Sequence, residues 1–335
     1  MAVKLWKDYA LPRSLYGIET LKFSKSDIQK LELLQLKICR QIQGLPDRTT
    51  NAATYALLGI ETIEATVDKL MLSFFGNIIQ NGSSIEFRIT ERQQVMSTQH
   101  KNAFATRIRN ILEKYNLPTI ITLMESVPPK EIWKRMVKNA VEFYWKQTRE
   151  QERVTKSTME FFDDNRQLRK PHPVWALVPN NTMEVKKAGV KCRLLTRTYT
   201  LQADRTKLSR GRESDMCNLC KISHEDTRRF LLECSYLEDD REKHLSKLKQ
   251  YTRTHLSENT FDRLKSEKLL LQFILDPSHT KCCDVVGRII KEHLYDLEHI
   301  TRTICYGLHT KRSLNSGWCK GYSTEVMCHH TVFII

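Results

Sequence analysis

No stretch of this 335-residue chain stays apolar for the roughly 20 residues that a bilayer span needs. The longest candidate, Leu269–Leu275, is far too short, so no membrane partner is expected. The start, Met1–Asp8, carries Lys4, Trp6 and Lys7 and lacks the apolar core of a signal peptide, which argues against secretion and for reduced thiols. A soluble intracellular protein, nuclear or cytoplasmic, is the expectation. No Gly-rich phosphate loop, Ser/His/Asp set or Cys/His catalytic pair stands out. Nor does any repeat or low-complexity tract. The ten cysteines suggest no disulfide framework: Cys39 and Cys192 sit singly, Cys282 and Cys283 are adjacent, and Cys305, Cys319 and Cys328 trail toward the end.

What is present is positive charge. Lysine and arginine total 54 against 39 aspartate and glutamate, a formal charge of +15. Such an excess favours polyanions, RNA or DNA, through phosphate neutralisation and counterion release. The plainer reading is a basic soluble protein. With 40% hydrophobic residues, the chain can support about two or three small cores.

The pattern is mainly α. Capping-box spacing at Ser26-Asp27-Ile28-Gln29 and the face Ile28, Leu31, Leu34 and Ile38 predict a helix ended by Gly44 and Pro46. Asn51–Leu58 reads as a short helix closed by Gly59. Thr62 caps the next, whose stripe is Val67, Leu70, Met71, Phe74 and Ile78, before Asn81-Gly82. A more polar helical region runs from about Glu86 to Tyr115, buried through Phe104, Ile108 and Ile111, with Gln93, Gln94 and Gln99 clustered along it. After Pro128-Pro129, Ile132, Trp133, Met136, Val137, Ala140, Tyr144 and Trp145 share a helical face. Interleaved lysines would let those aromatics stack on bases, but the period fits a core stripe better.

Lys170-Pro171-His172-Pro173, followed by Pro179-Asn180-Asn181, makes the best internal boundary. Beyond it Arg193, Arg197, Arg205, Lys207, Arg210 and Arg212 alternate with Leu194, Leu195, Tyr199 and Leu201. These six are the candidate phosphate contacts; a solvated helix surface is the competing reading. The basic stretch runs into Cys217-Asn218-Leu219-Cys220 and, further on, Phe230-Leu231-Leu232-Glu233-Cys234. A Cys-x2-Cys turn with a third cysteine is most of a small zinc site. Charged, apolar and amphipathic helices follow at Leu237–Leu248, Leu264–Leu275 and Val285–Ile304. The end loses the pattern, and Cys319, Cys328, His329 and His330 form only a weak second metal candidate.

Leu11-Pro12-Arg13-Ser14-Leu15-Tyr16-Gly17-Ile18-Glu19, Gln43-Gly44-Leu45-Pro46-Asp47-Arg48-Thr49 and Leu57-Leu58-Gly59-Ile60 resemble the region just downstream of the palm in reverse transcriptases of LINE-like, non-long-terminal-repeat retrotransposons. Lys191–Thr196, Thr198–Gln202, the segment Cys217–Cys234 and Arg241 resemble the basic approach and Cys-Cys-His-Cys knuckle that end such polyproteins. The resemblance implies a thumb-like helical region over 1–82 and a degenerate zinc-knuckle module over 213–250, and the residue pattern adds a helical connector over 83–168, a Pro-containing linker and basic segment over 169–212, a C-terminal helical region over 251–309 and a disordered tail over 310–335.

It also implies that the polymerase centre lies elsewhere. The paired carboxylates of that centre hold divalent metal between buried strands. Phe161-Phe162-Asp163-Asp164 has the letters, but its flanks are polar and it follows the thumb-like region. A palm ahead of Met1 is missing, so no polymerase activity is expected, and a separate retroelement polymerase is a possible partner. Asp262, Asp276, Asp284 and Lys281 could imitate the restriction-like nuclease of some relatives, yet Asp276-Pro277 reverses the expected order.

In the family a histidine stands five residues before the last cysteine, where this chain has Arg229. A guanidinium has no lone pair for zinc. Three outcomes stay open: His224 joins Cys217, Cys220 and Cys234; three thiolates bind with water or another group; or no stable zinc binds. Bound zinc would organise the fold, at about 10 kcal/mol in small modules. Two functions follow: a noncatalytic nucleic-acid-binding fragment, or a helical protein-interaction module or decayed retroelement product without selected activity.

Overall fold

The structure, a computed structural model, describes residues 2–21, 24–96, 103–163, 169–264 and 266–315. It is mainly helical, as expected, and among the described residues the extended structure is one isolated bridge, Met216 to His224. In chain order the main helices are α1 (Lys25–Gln43), α2 (Asn51–Leu58), α3 (Ile63–Gln80), α4 (Ile85–Met96), α5 (Phe104–Lys114), α6 (Ile120–Glu125) and α7 (Lys130–Thr155). They continue as α8 (Thr182–Leu195), α9 (Gln202–Leu208), α10 (Glu238–His255), α11 (Glu267–Leu275), α12 (Thr280–Val286) and α13 (Lys291–Asn315).

Local chemistry explains most of these bounds. Thr50 and Thr62 accept hydrogen bonds from the N–H groups of Ala53 and Ala65, capping α2 and α3. The box that opens α1 is two residues earlier than the expected Ser26: Ser24 Oγ accepts from Asp27 N at 3.2 Å, and Asp27 Oδ2 accepts from Ser24 N at 3.1 Å. Gly59 closes α2 at φ 58°, in the left-handed region. A Cβ there would lie 2.5 Å from the Lys170 carbonyl carbon.

The chain divides into two compact units. Of the described residues, one comprises those within 1–37 and 61–151 and the other those within 38–60 and 152–315, so the division falls inside α1 and α7. The Pro-containing stretch at 170–173 does not separate them. It lies in the second unit, where His172 N donates to Leu57 O at 2.9 Å and Val174 is fully buried.

In the first unit, Leu72, Phe75 and Ile79 of α3, Ile108 and Leu112 of α5, Ile120 and Leu123 of α6, and Trp133, Val137 and Val141 of α7 form one core. The expected stripe on α3 is met in part: Met71 and Ile78 are buried, but Leu72 and Phe75 also point inward while Leu70 is exposed. The polar stretch from Glu86 is two helices, α4 and α5; Gln99 lies outside the described residues. The aromatic face of α7 is core. Trp133 meets Phe75 edge-on at 6.2 Å and donates Nε1–H to Leu72 O at 3.0 Å. Tyr144 and Trp145 cluster with Tyr115, whose hydroxyl donates to Asp68 at 2.7 Å.

In the second unit α13 packs along both α8 and α10. Leu297, Ile304, Cys305 and Leu308 of α13 share a core with Val190, Cys192, Leu194 and Leu195 of α8 and Phe273, Ile274 and Leu275 of α11. The expected single helix Val285–Ile304 is α12 and α13, broken at Gly287. Residues 310–315, expected in the tail, are the last turns of α13. Cys319, Cys328, His329 and His330 lie outside the described residues.

Gly76 of α3 has no room for a side chain, because a Cβ there would overlap the Trp133 indole. Alanine normally outranks glycine inside a helix by about 1 kcal/mol. Gly76→Ala is nevertheless expected to destabilise by about 1–3 kcal/mol through overpacking, seen as a lower urea midpoint by tryptophan fluorescence. An unchanged or raised midpoint contradicts this packing.

Candidate functional site

Three cysteines meet in the second unit. Asp215 and Glu225 face each other across a short hairpin, Glu225 N donating to Asp215 O at 2.9 Å and Cys217 N to Ser223 O at 2.8 Å. Lys221, at φ 54°, turns the chain at its tip. The π-helical turn Arg229–Glu233 then buries Phe230 and Leu231 and delivers Cys234. Cys217 Sγ lies 3.8 Å from Cys234 Sγ, and the three sulfurs are all within 4.8 Å of one another. A tetrahedral ion with Zn–S bonds of about 2.3 Å needs sulfurs about 3.8 Å apart, so the thiols fit a metal.

A cation stands beside one of the sulfurs. Arg229 Nη2 donates to Cys220 Sγ at 3.8 Å, its Nη1 lies 3.7 Å from Glu233, and its backbone N donates to Asp226 at 2.7 Å. Burial alone would raise the Cys220 pKa. The Ile222 N–H, Arg229 and the neighbouring thiols outweigh it and bring the group down to about 7. Cys234 moves the opposite way, up to about 12, through burial and the negative charge of Cys217. The structure does not bring His224 to the sulfurs: its side chain is 59% exposed and faces Asp226 at 3.6 Å. His244, beyond Cys234, sits on α10 against Gly307.

The hairpin is anchored from behind by residues that sequence reasoning did not single out as site residues. Arg312 Nε and Nη2 donate to the two Glu225 carboxylate oxygens at 2.8 Å each, and both side chains are buried. Glu225 also accepts from Gln202 N at 3.0 Å, tying in the start of α9. Tyr199 stacks on Phe230 at 5.4 Å, with the Arg312 guanidinium 5.6 Å from the Tyr199 ring. Arg241, which is 6% exposed, donates to Cys234 O at 2.8 Å. The signal for Arg312 was present in the spacing Ile304, Leu308, Arg312, one residue per turn along a continuous helix.

Of the six candidate phosphate contacts, three stay exposed: Lys207, Arg210 and Arg212. Arg193 is half-buried on α8, its guanidinium held to Gly189 O, and burial lowers its pKa. Arg197 pairs with Glu160, and Arg205 lies 3.9 Å from Glu213. Exposed Lys221 adds a cation at the hairpin tip.

A second group, His172, Asp276 and Glu298, also has its ligand atoms within 4.8 Å of one another. It does not fit a metal. His172 Nδ1 accepts from Val174 N at 3.2 Å, which puts the ring proton on Nε2, facing Asp276 Oδ2 at 3.1 Å. Glu298 is paired with the fully buried Lys191 at 2.8 Å. Asp276 is buried, whereas Asp262 and Asp284 are exposed. Asp163 accepts from Thr280 N and Oγ1 at 2.8 and 2.6 Å; Asp164 lies outside the described residues.

No helix among the described residues is long and apolar enough to cross a membrane. Comparison with known proteins finds no matching family model, curated protein or solved structure.

His309 supports the same anchor, its Nδ1 2.7 Å from Tyr199 Oη. Burial, then the charges of Arg193 and Arg312, lower its pKa from 6.5 to about 4. The unfolded chain therefore takes up this proton below pH 6.5, whereas the folded protein does so only near pH 4. Stability is complete above the upper value and falls as pH drops between the two, by up to about 3 kcal/mol. His309→Gln, which keeps a partner for Tyr199, is expected to flatten that slope in denaturation series; an unaltered slope contradicts the assignment.

Proposed function

We propose that this chain is a noncatalytic nucleic-acid-binding protein, resembling the C-terminal part of a LINE-like retrotransposon reverse transcriptase, that contacts phosphates beside a three-cysteine knuckle. The observation that carries the reading is the exposure of Lys207, Arg210 and Arg212 on the segment leading directly into the thiol hairpin. The net charge of +15 supports it. Phosphates are met by mobile cations held on a shaped scaffold. The engagement of Asp163 with Thr280 and the burial of Asp276 support a noncatalytic role.

In this reading Cys217, Cys220 and Cys234 hold one structural zinc ion. Three thiolates on a divalent ion leave one negative charge, which the adjacent Arg229 offsets while donating to Cys220. Exposed Met216 and Ile222 on the same hairpin favour a second reading, a protein-docking surface.

A salt series separates the two. Binding to single-stranded RNA and to duplex DNA is expected to weaken steeply with salt, at about 0.7–0.9 log units per phosphate contact for each log unit of salt. Replacing Lys207, Arg210 and Arg212 together by glutamine should lower that slope by about 2 to 3. Absence of any salt-sensitive binding sinks the nucleic-acid reading. The metal is tested by Arg229→His, which supplies a fourth ligand in place of a cation: zinc affinity is expected to rise at least about tenfold by competition with a chelating dye. Unchanged or weaker affinity would place Arg229 away from the open vertex.

A further inference from the structure

The facing helices α10 and α13 carry a second constellation with ligand chemistry. Tyr251 and His255, four residues apart, line the end of α10; His293 and Asp296, three apart, line the start of α13. The two pairs meet. The His255 and His293 ring centroids are 5.5 Å apart, and the His255 ring lies 4.5 Å from that of Tyr251. A zinc ion bonded to two imidazoles at about 2.05 Å stands about 3.2 Å from each centroid, so the centroids of a tetrahedral pair are about 5.2 Å apart.

The hydrogen bonds behind the rings determine which nitrogen is available. Tyr251 Oη donates its one proton to Asp296 Oδ2 at 2.8 Å. The 3.2 Å contact between that oxygen and His293 Nδ1 must then be donated by the imidazole. In neutral His293 the lone pair is therefore on Nε2. A carboxylate and a hydroxyl acting in series behind an imidazole are the outer partners that hold a metal-binding histidine in one tautomer.

We propose that His255 and His293 form a surface binding site for an imidazole-preferring divalent transition ion such as zinc, oriented by Tyr251 and Asp296. The two nitrogens and solvent water complete the coordination, and the ion clips the end of α10 to the start of α13. The site is independent of the thiol cluster, whose donors are sulfur.

The test is site-resolved footprinting of the intact chain with diethylpyrocarbonate, read by mass spectrometry with zinc alone added. His224, exposed and outside this pair, is the internal control. Zinc is expected to slow modification of His255 and His293 together by about tenfold or more, leaving His224 unchanged. His255→Ala should abolish the protection of His293, and Tyr251→Phe, which keeps the packing but breaks the relay, should raise the zinc needed by about 10- to 100-fold. The proposal is overturned if zinc protects neither ring, if either is protected without the other, if His224 is protected equally, or if Tyr251→Phe has no effect.

Discussion

The second unit depends on one buried ion pair. Glu225 arrives on the thiol hairpin and Arg312 on the last turns of α13, and the two close a bidentate contact at 2.8 Å per hydrogen bond. Neither group tolerates burial alone; loss of one partner of such a pair costs about 3–5 kcal/mol. The stacked rings of Tyr199 and Phe230 sit against the same guanidinium, so the basic approach, the hairpin and the last helix are held at one point. The thiols are thereby placed in a core that extends through α8, α11 and α13.

This embedding changes the part a metal plays. In an isolated knuckle, zinc supplies the folding energy because nothing else does. Here Cys217 and Cys234 are 1% exposed and Phe230 and Leu231 belong to the main core of the unit, so apolar burial and the Glu225–Arg312 pair share that work. An arginine at residue 229 is consistent with it: the cation sits by Cys220, where it favours thiolate without competing as a ligand. The segment that leads into the hairpin keeps Lys207, Arg210 and Arg212 exposed.

Helix existence was legible wherever local chemistry decides it. The Gly59 stop of α2, Thr62 with Asn81, and the Pro128-Pro129 entry to α7 were readable because caps and prolines act within a turn. Helix faces were less legible. Leu70 and Leu72 differ by two positions and by burial, a choice made by the α5 and α7 surfaces that the local sequence does not contain. The three cysteines could be brought together on paper because Cys-x2-Cys and a third cysteine fit a short turn, whereas the rejection of His224 and the burial of Arg193 needed the tertiary fold. The helical spacing Ile304, Leu308, Arg312 placed Arg312 on the buried face of α13, but its partner Glu225 is 87 residues away, so the pair itself had no local sign.

Hydrogen–deuterium exchange of the full chain measures most directly what shapes the candidate site, comparing zinc-loaded protein, chelated protein and Arg312→Met. The expected result is that amides of 215–234 stay protected after chelation and become fast in Arg312→Met, while α3, α5 and α7 are unchanged. The contrary result, exposure of those amides on chelation with protection retained in Arg312→Met, would assign the site's shape to the ion and contradict the account.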